Sequence, residues 1–124
     1  NLETQQITDG AVNRIINDVI GKPGKLLFEN NNGLFTLGSE GDNKIAKGRA
    51  GTFSPDGTLI AFISNLNEEK WDDIYTVDVK SGETTRLTND RYSENTLSWS
   101  EDGASIFFNA NRGDKDIWII KLKQ

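Results

Sequence analysis

Apolar residues in this chain fall into short runs separated by turn-forming clusters. Leu59 to Ser64 and Ile106 to Ala110 are mostly continuous apolar stretches. Continuous apolarity predicts strands buried on both faces, as in a sheet stacked between neighbouring sheets. The run from Ile74 to Val79 alternates instead, with Ile74, Thr76 and Asp78 on one face and Tyr75, Val77 and Val79 on the other. Thr84 to Thr88 is more polar and suits an outer sheet edge. Pro55-Asp56-Gly57 is set for a tight turn, because Pro presets φ, Asp bonds locally and Gly accepts positive φ. Glu101-Asp102-Gly103 and Lys22-Pro23-Gly24 are its counterparts. Each joins a short strand before it to an apolar strand after it.

These segments recur in a fixed order, as strands a, b, c and d. The clearest copy reads Phe53-Ser54-Pro55-Asp56-Gly57, Leu59-Ile60-Ala61-Phe62-Ile63, Asp73-Ile74-Tyr75-Thr76-Val77-Asp78-Val79 and Arg86-Leu87-Thr88. A second copy reads Trp99-Ser100-Glu101-Asp102-Gly103, Ile106-Phe107-Phe108 and Asp116-Ile117-Trp118-Ile119-Ile120. Its last segment is expected from the other chain end, as Gln6-Ile7-Thr8-Asp9. A degenerate copy has strand a at Ile16 to Ile20, b at Lys25 to Glu29, c at Leu34 to Leu37 and d at Lys44 to Ala46. Asn30-Asn31-Asn32-Gly33 supplies its tight b-to-c connection by ordinary Asn-Gly hairpin chemistry.

The d-strand residues Ile7, Ile45 and Leu87 lie 38 and 42 residues apart, and wrapping from Leu87 past Gln124 to Ile7 gives 44. These near-equal intervals match the roughly 40–45 residues of a four-stranded propeller blade. A repeat split across the termini is how a ring-shaped β-protein closes itself. The expected division is a d strand at 1–10, a first blade at 11–48, a second at 49–90, and strands a to c of a third at 91–124.

With Phe53-Ser54-Pro55-Asp56-Gly57, Ile60-Ala61-Phe62, Asp73-Ile74-Tyr75 and Arg86-Leu87-Thr88, the chain resembles the TolB-type β-propeller repeat. Related blades occur in tricorn-type proteases and in the propeller domains of prolyl-oligopeptidase-like peptidases. The resemblance covers nearly the whole chain and fits the middle copy best. In the first copy Gly21-Lys22-Pro23-Gly24 replaces the Ser-Pro-Asp-Gly core. The resemblance implies a non-catalytic binding scaffold and a periplasmic or secreted location. TolB-like proteins are six-bladed and carry an additional N-terminal domain that has no counterpart here. The motif specifies blade geometry well and function poorly.

The expected fold is therefore all-β, with three blades of four antiparallel strands per chain. Propellers typically have four to eight blades. Three alone would leave two apolar sheet faces exposed, which is an association signal. Two copies would make a six-bladed, two-fold ring, with residues Leu2 to Asp9 adding the fourth strand to the other copy's last blade. A piece cut from a longer propeller fits the matched ends equally well.

Composition narrows the chemistry. The chain has 124 residues and a net charge of −5, from 19 acidic and 14 basic residues. Such an acidic balance argues against a nucleic-acid surface. It contains neither Cys nor His. Disulfides, thiol nucleophiles, Ser-His-Asp triads and Cys/His zinc sites are thereby excluded within one chain. No apolar run reaches the length of about 20 residues that spans a bilayer. No cofactor, nucleic-acid partner or membrane insertion is expected. The absence of Met points to a processed protein or an excised piece.

Candidate binding residues lie in the connections expected at one mouth of the ring. Arg14, Arg49 and Arg91 each occupy a d-to-a connection. Six guanidinium groups in a six-bladed ring could engage an anionic ligand or an acidic peptide. The competing expectation is that they pair with nearby acids such as Asp90 and Glu94. Tyr92 and Trp71 are loop aromatics, suited either to anchoring a partner or to covering local apolar surface. Glu68, Glu69, Asp72 and Asp73 cluster in the longest b-to-c loop, but their spacing matches no calcium loop. Arg112-Gly113-Asp114 reads as a turn before it reads as an adhesive tripeptide. Phe53 with Trp99, and Tyr75 with Trp118 and Phe35, recur at fixed positions and are expected in blade-to-blade packing.

The expected function is protein or peptide binding by a self-associating scaffold. One alternative is a propeller glycosidase using two facing carboxylates, which needs a defined pair that nothing in the sequence marks. Another is a purely structural fragment with no evolved ligand.

Overall fold

The computed structural model describes residues 2–8, 13–21, 24–38, 41–66, 71–89, 94–112 and 114–122. Three antiparallel sheets stack in chain order. The first holds β1 (Ile15–Ile20), β2 (Lys25–Asn30), β3 (Gly33–Gly38) and β4 (Gly41–Ala46), side by side in that order. The second holds β5 (Arg49–Phe53), β6 (Leu59–Ser64), β7 (Asp73–Asp78) and β8 (Thr84–Arg86) in the same order. The third holds β9 (Glu94–Trp99), β10 (Ser105–Arg112) and β11 (Asp114–Lys121). These are three propeller blades. Among the described residues no helix is long and apolar enough to cross a membrane.

Register confirms the repeat. Phe28 pairs with Phe35, Phe62 with Tyr75 and Phe108 with Trp118. The first two pairs stack, each with ring centroids 5.7 Å apart. A bulge interrupts every inner strand at a matching place. Ala50 and Thr96, three residues before Phe53 and Trp99, take φ of 55° and 53° there.

The turns after strand a are built alike. Ser54 Oγ donates to Asp56 Oδ1 at 2.7 Å and accepts the Leu59 N–H at 3.0 Å. Ser100 Oγ donates to Asp102 Oδ1 at 2.7 Å and accepts the Ser105 N–H at 3.0 Å. Gly57 and Gly103 close these turns at φ of 76° and 72°, where a side chain would strain the backbone. Lys22 and Pro23, the counterpart in the first blade, lie outside the described residues.

Two cores fill the two seams between blades. Leu27 and Leu34 of the first blade meet Phe53, Ile60, Phe62, Tyr75 and Val77 of the second. On the other side Ile63 and Ile74 meet Phe108 and Ala110. The continuously apolar β6 is thus buried on both faces, with Ile60 and Phe62 toward the first blade and Ile63 toward the third. The alternation in β7 splits the same way.

The outer sheets are covered on one face only. Ile16 and Val19 stand 69% and 53% exposed on the free side of the first blade. Ile117, Ile119 and Phe107 stand 74%, 45% and 42% exposed on the free side of the third. Phe53 and Tyr75 are buried as expected, but Trp118 remains 38% exposed although it shares a face with buried Phe108. Tyr75 has β8 beside it, whereas the third sheet ends at β11. Residues 2–7 form no strand, and Ile7 is 63% exposed.

Candidate functional site

Antiparallel order places the b-to-c and d-to-a connections of every blade at one end of its sheet. At the first seam these connections enclose a cleft of about 520 Å³. One wall is the β2–β3 turn, Asn30 to Gly33, held by the Asn32 N–H donating to Asn30 Oδ1 at 2.7 Å. The floor is the β4-to-β5 link, Lys47 and Gly48, whose Lys47 carbonyl accepts from Ser64 Oγ at 2.5 Å. The far wall is the end of β6 with Asn65 and Asp72.

Gly33 is required at its place. It has φ of +129°, and a Cβ there would run into the Ala46 carbonyl. The turn is thereby pressed against the end of β4.

The charged groups differ in their freedom. Arg49 Nη2 lies 2.9 Å from Asp72 Oδ2 across the cleft wall. Glu29 Oε1 accepts from Asn17 Nδ2 at 2.9 Å and from the Ala50 N–H at 3.2 Å, so it serves the seam. Lys44 and Lys47 are exposed and line the cleft. Two ammonium groups and a row of side-chain amides can therefore face a ligand, which suits carboxylates and peptide backbone.

Of the candidate binding residues read from sequence, Arg49 lines this cleft, together with Asp72 of the acidic loop. Arg14 Nη2 pairs with Asp42 Oδ2 at 2.9 Å, and its guanidinium lies 5.4 Å from the centroid of the Phe28 ring. It is drawn across the free face of the first blade and away from the mouth. Arg14 and Arg49, the two d-to-a arginines among the described residues, each pair with an acid, Asp42 and Asp72. Trp71 is half-buried just before β7. Arg91 and Tyr92 lie outside the described residues, as do Asp90, Glu68, Glu69 and the side chains of Glu94 and Arg112. Arg112 and Asp114 face each other across the β10–β11 hairpin, as a turn requires. Asp72 and Asp73 are each committed to an arginine, Asp72 to Arg49 and Asp73 to Arg86. Among the described residues no cluster of three metal-ligating side chains occurs.

Two features were not read from sequence. The first is a polar seam at the inner strands. Asp18 Oδ2 accepts the Phe53 N–H at 2.8 Å and Thr52 Oγ1 at 3.0 Å, and Asn17 Oδ1 accepts the Gly51 N–H at 2.7 Å. These side chains satisfy backbone donors on β5, the inner edge strand of its sheet. The second is a clamp on the outer strand. Thr88 Oγ1 accepts the Ile74 N–H at 2.9 Å and donates to Asp73 Oδ1 at 3.1 Å. Arg86 Nε donates to Asp73 Oδ2 at 3.1 Å. Asp-Ile at strand c, in Asp73-Ile74 and Asp116-Ile117, and the Thr shared by Ile7-Thr8 and Leu87-Thr88 carried that signal.

The family described as the prolyl oligopeptidase N-terminal β-propeller domain matches residues 36–122. An uncharacterised protein of Agrobacterium fabrum is 34% identical over 71 residues, which are 56% of this chain and 24% of that protein. A solved TolB candidate from Agrobacterium tumefaciens superposes with a TM-score of 0.63 at 26% identity, covering 79% of this chain and 38% of the other. TolB from Acinetobacter baumannii gives 0.60 at 21%, covering 79% and 27%, and shows the shared fold. The chain thus spans about a quarter of the curated relative's length, and less than half of either solved chain.

Proposed function

We propose that this chain, which belongs to the prolyl oligopeptidase N-terminal β-propeller family, is a non-catalytic scaffold that binds an acidic peptide or protein segment. The carrying observation is the cleft at the loop face, where Lys44 and Lys47 stand exposed among Asn30, Asn31, Asn32 and Asn65. Lysines supply attraction, and amides supply donors and acceptors for an extended backbone. In this reading the chain acts as half of a six-bladed ring, with a second copy supplying the other blades. The two exposed end faces support that part. A periplasmic or secreted location goes with the reading and rests on the TolB-type resemblance.

The test is titration of fluorescent peptides, acidic against neutral, followed by polarisation. Acidic peptides bind in the expected result, and Lys44→Glu with Lys47→Glu weakens them by tenfold or more. Equal binding of both peptide classes, or an unaffected double variant, removes the cleft from the function.

A second reading draws on length. Relatives about two to three times longer than this chain favour the missing blades lying on one longer polypeptide. Light scattering separates the two: a stable dimer supports the second copy, and a monomer with sticky ends supports the longer chain.

A further inference from the structure

We infer that Arg49 reads the carboxylate of a ligand in the loop-face cleft, and that Asp72 holds that carboxylate's place until the ligand displaces it. This rests on the acidic-segment binding proposed above and names the residues that set its selectivity and its threshold.

Three arginine–aspartate pairs differ in how firmly they are made. Arg86 grips Asp73 through both Nε and Nη2, and Asp73 also accepts from Thr88 Oγ1. The two side chains of that pair are 22% and 2% exposed. Arg14 meets Asp42 at 2.9 Å with its guanidinium against the Phe28 ring, on side chains 17% and 22% exposed. Arg49 meets Asp72 through a single Nη2–Oδ2 contact of 2.9 Å, on side chains 46% and 31% exposed. Among the described residues neither Arg49 nor Asp72 has a second hydrogen-bond or ion-pair partner. The first two pairs are built into the blades. The third is open to water and lines the cleft.

An exposed pair of this kind adds little to folding, so its exchange leaves the blades intact. Only the Asp72 side chain has to turn, because Asp73 beside it stays anchored at the start of β7. Glu29, the other acid lining the cleft, is engaged by Asn17 and the Ala50 N–H and stays in the seam. Asp72 is therefore the acid that can leave.

A guanidinium offers five N–H donors in a planar fork that matches a carboxylate bidentately. Asp72 uses a single contact, so a ligand carboxylate gains donors that Asp72 leaves unused. Lys44 and Lys47 draw the carboxylate in without fixing its orientation, since an ammonium is a point charge. A neutral amide at the same place would take Arg49 from Asp72 and return no charge to it. Arg49 thus separates acidic from neutral ligands, and Asp72 sets how strongly a ligand must bind to reach it.

The probes are a short fluorescent Glu-containing peptide and its Gln counterpart, titrated by polarisation at low salt. Asp72→Asn is expected to tighten binding of the Glu peptide about three- to fivefold. That gain is expected to vanish in an Arg49→Gln background, and Arg49→Gln alone to narrow the gap between the two peptides. Asp72→Ser is measured alongside, so that the result does not depend on the folding of one variant. A gain that persists without Arg49 makes Asp72 a simple repulsive charge and overturns the exchange. Asp72 variants that bind the Glu peptide no more tightly than wild type overturn it as well, and leave the binding function of the cleft standing. Absence of Glu-peptide binding by wild type and by the Asp72 variants alike removes both.

Discussion

At the scale of single residues, a few short polar side chains hold the blades in shape. Asp73, Thr88 and Arg86 tie the outer strand of the middle blade, and Asp73 is 1% exposed. Replacing Thr88 by Val strips partners from the Ile74 N–H and the Asp73 carboxylate together. The expected loss is about 2 kcal/mol or more in denaturant unfolding, with Thr88→Ser close to wild type. An unchanged midpoint for Thr88→Val would show the clamp to be incidental. The turn aspartates work by hydrogen bonds at the surface. The Thr58 N–H and then Ser54 hold the Asp56 carboxyl below the ordinary carboxylate range, and Ser100 and the Ala104 N–H do the same for Asp102. Their folded pKa values are depressed, so their stabilisation is present above the unfolded value and is lost as pH falls through the folded one. The gap in thermal midpoint between wild type and Asp56→Asn or Asp102→Asn should therefore narrow below about pH 4. A gap constant from pH 7 to pH 3 would refute this.

At the scale of elements, the sheets differ in what covers them. The middle sheet is packed on both sides, and Phe62 is fully buried against Leu27 and Leu34. Phe62→Ala is expected to cost about 3–5 kcal/mol in equilibrium unfolding. Gly51 shows how close the first two sheets come: a Cβ there would sit 2.8 Å from Leu27 Cδ2 and 3.1 Å from Leu34 Cδ2. Both leucines are fully buried, so neither can swing aside. Gly51→Val should lower stability by about 1–3 kcal/mol, and a neutral outcome would mean that the seam can open. Strand order and the middle strands were legible in the sequence, because the apolar run at Leu59 to Ser64 and the alternation at Ile74 to Val79 are each short and bounded by turn residues. The predicted end of strand d at Thr88 was longer than the observed β8, which stops at Arg86. There the Thr88 side chain replaces the backbone as hydrogen-bonding partner, and a propensity reading cannot separate the two.

At the scale of the whole molecule, three blades form an arc with an apolar face at each end. Ile117 is 74% exposed on one of them. A charge there disturbs little inside the chain but must be desolvated in any blade-to-blade contact. In the two-copy ring proposed above, Ile117→Glu is expected to leave the circular dichroism of the chain unchanged and to reduce its mass by light scattering from two copies to one. An Ile117→Glu protein that self-associates like wild type would exclude this face from assembly.

The repeat, the strand order and the turn chemistry were determined by sequence alone, because each depends on residues close together in the chain. So was the core character of Phe53 and Tyr75, which recur at fixed positions. The site depended on tertiary structure. Arg14 and Arg49 look equivalent in sequence, yet one lies across Phe28 and the other lines a cleft. Their acidic partners Asp42 and Asp72 are 28 and 23 residues away. Lys44 and Lys47 acquire their meaning only when two blades pack side by side. Local patterns fix hydrogen-bonded ladders, whereas the pairing of charges is decided by which surfaces the stacking of sheets brings within reach.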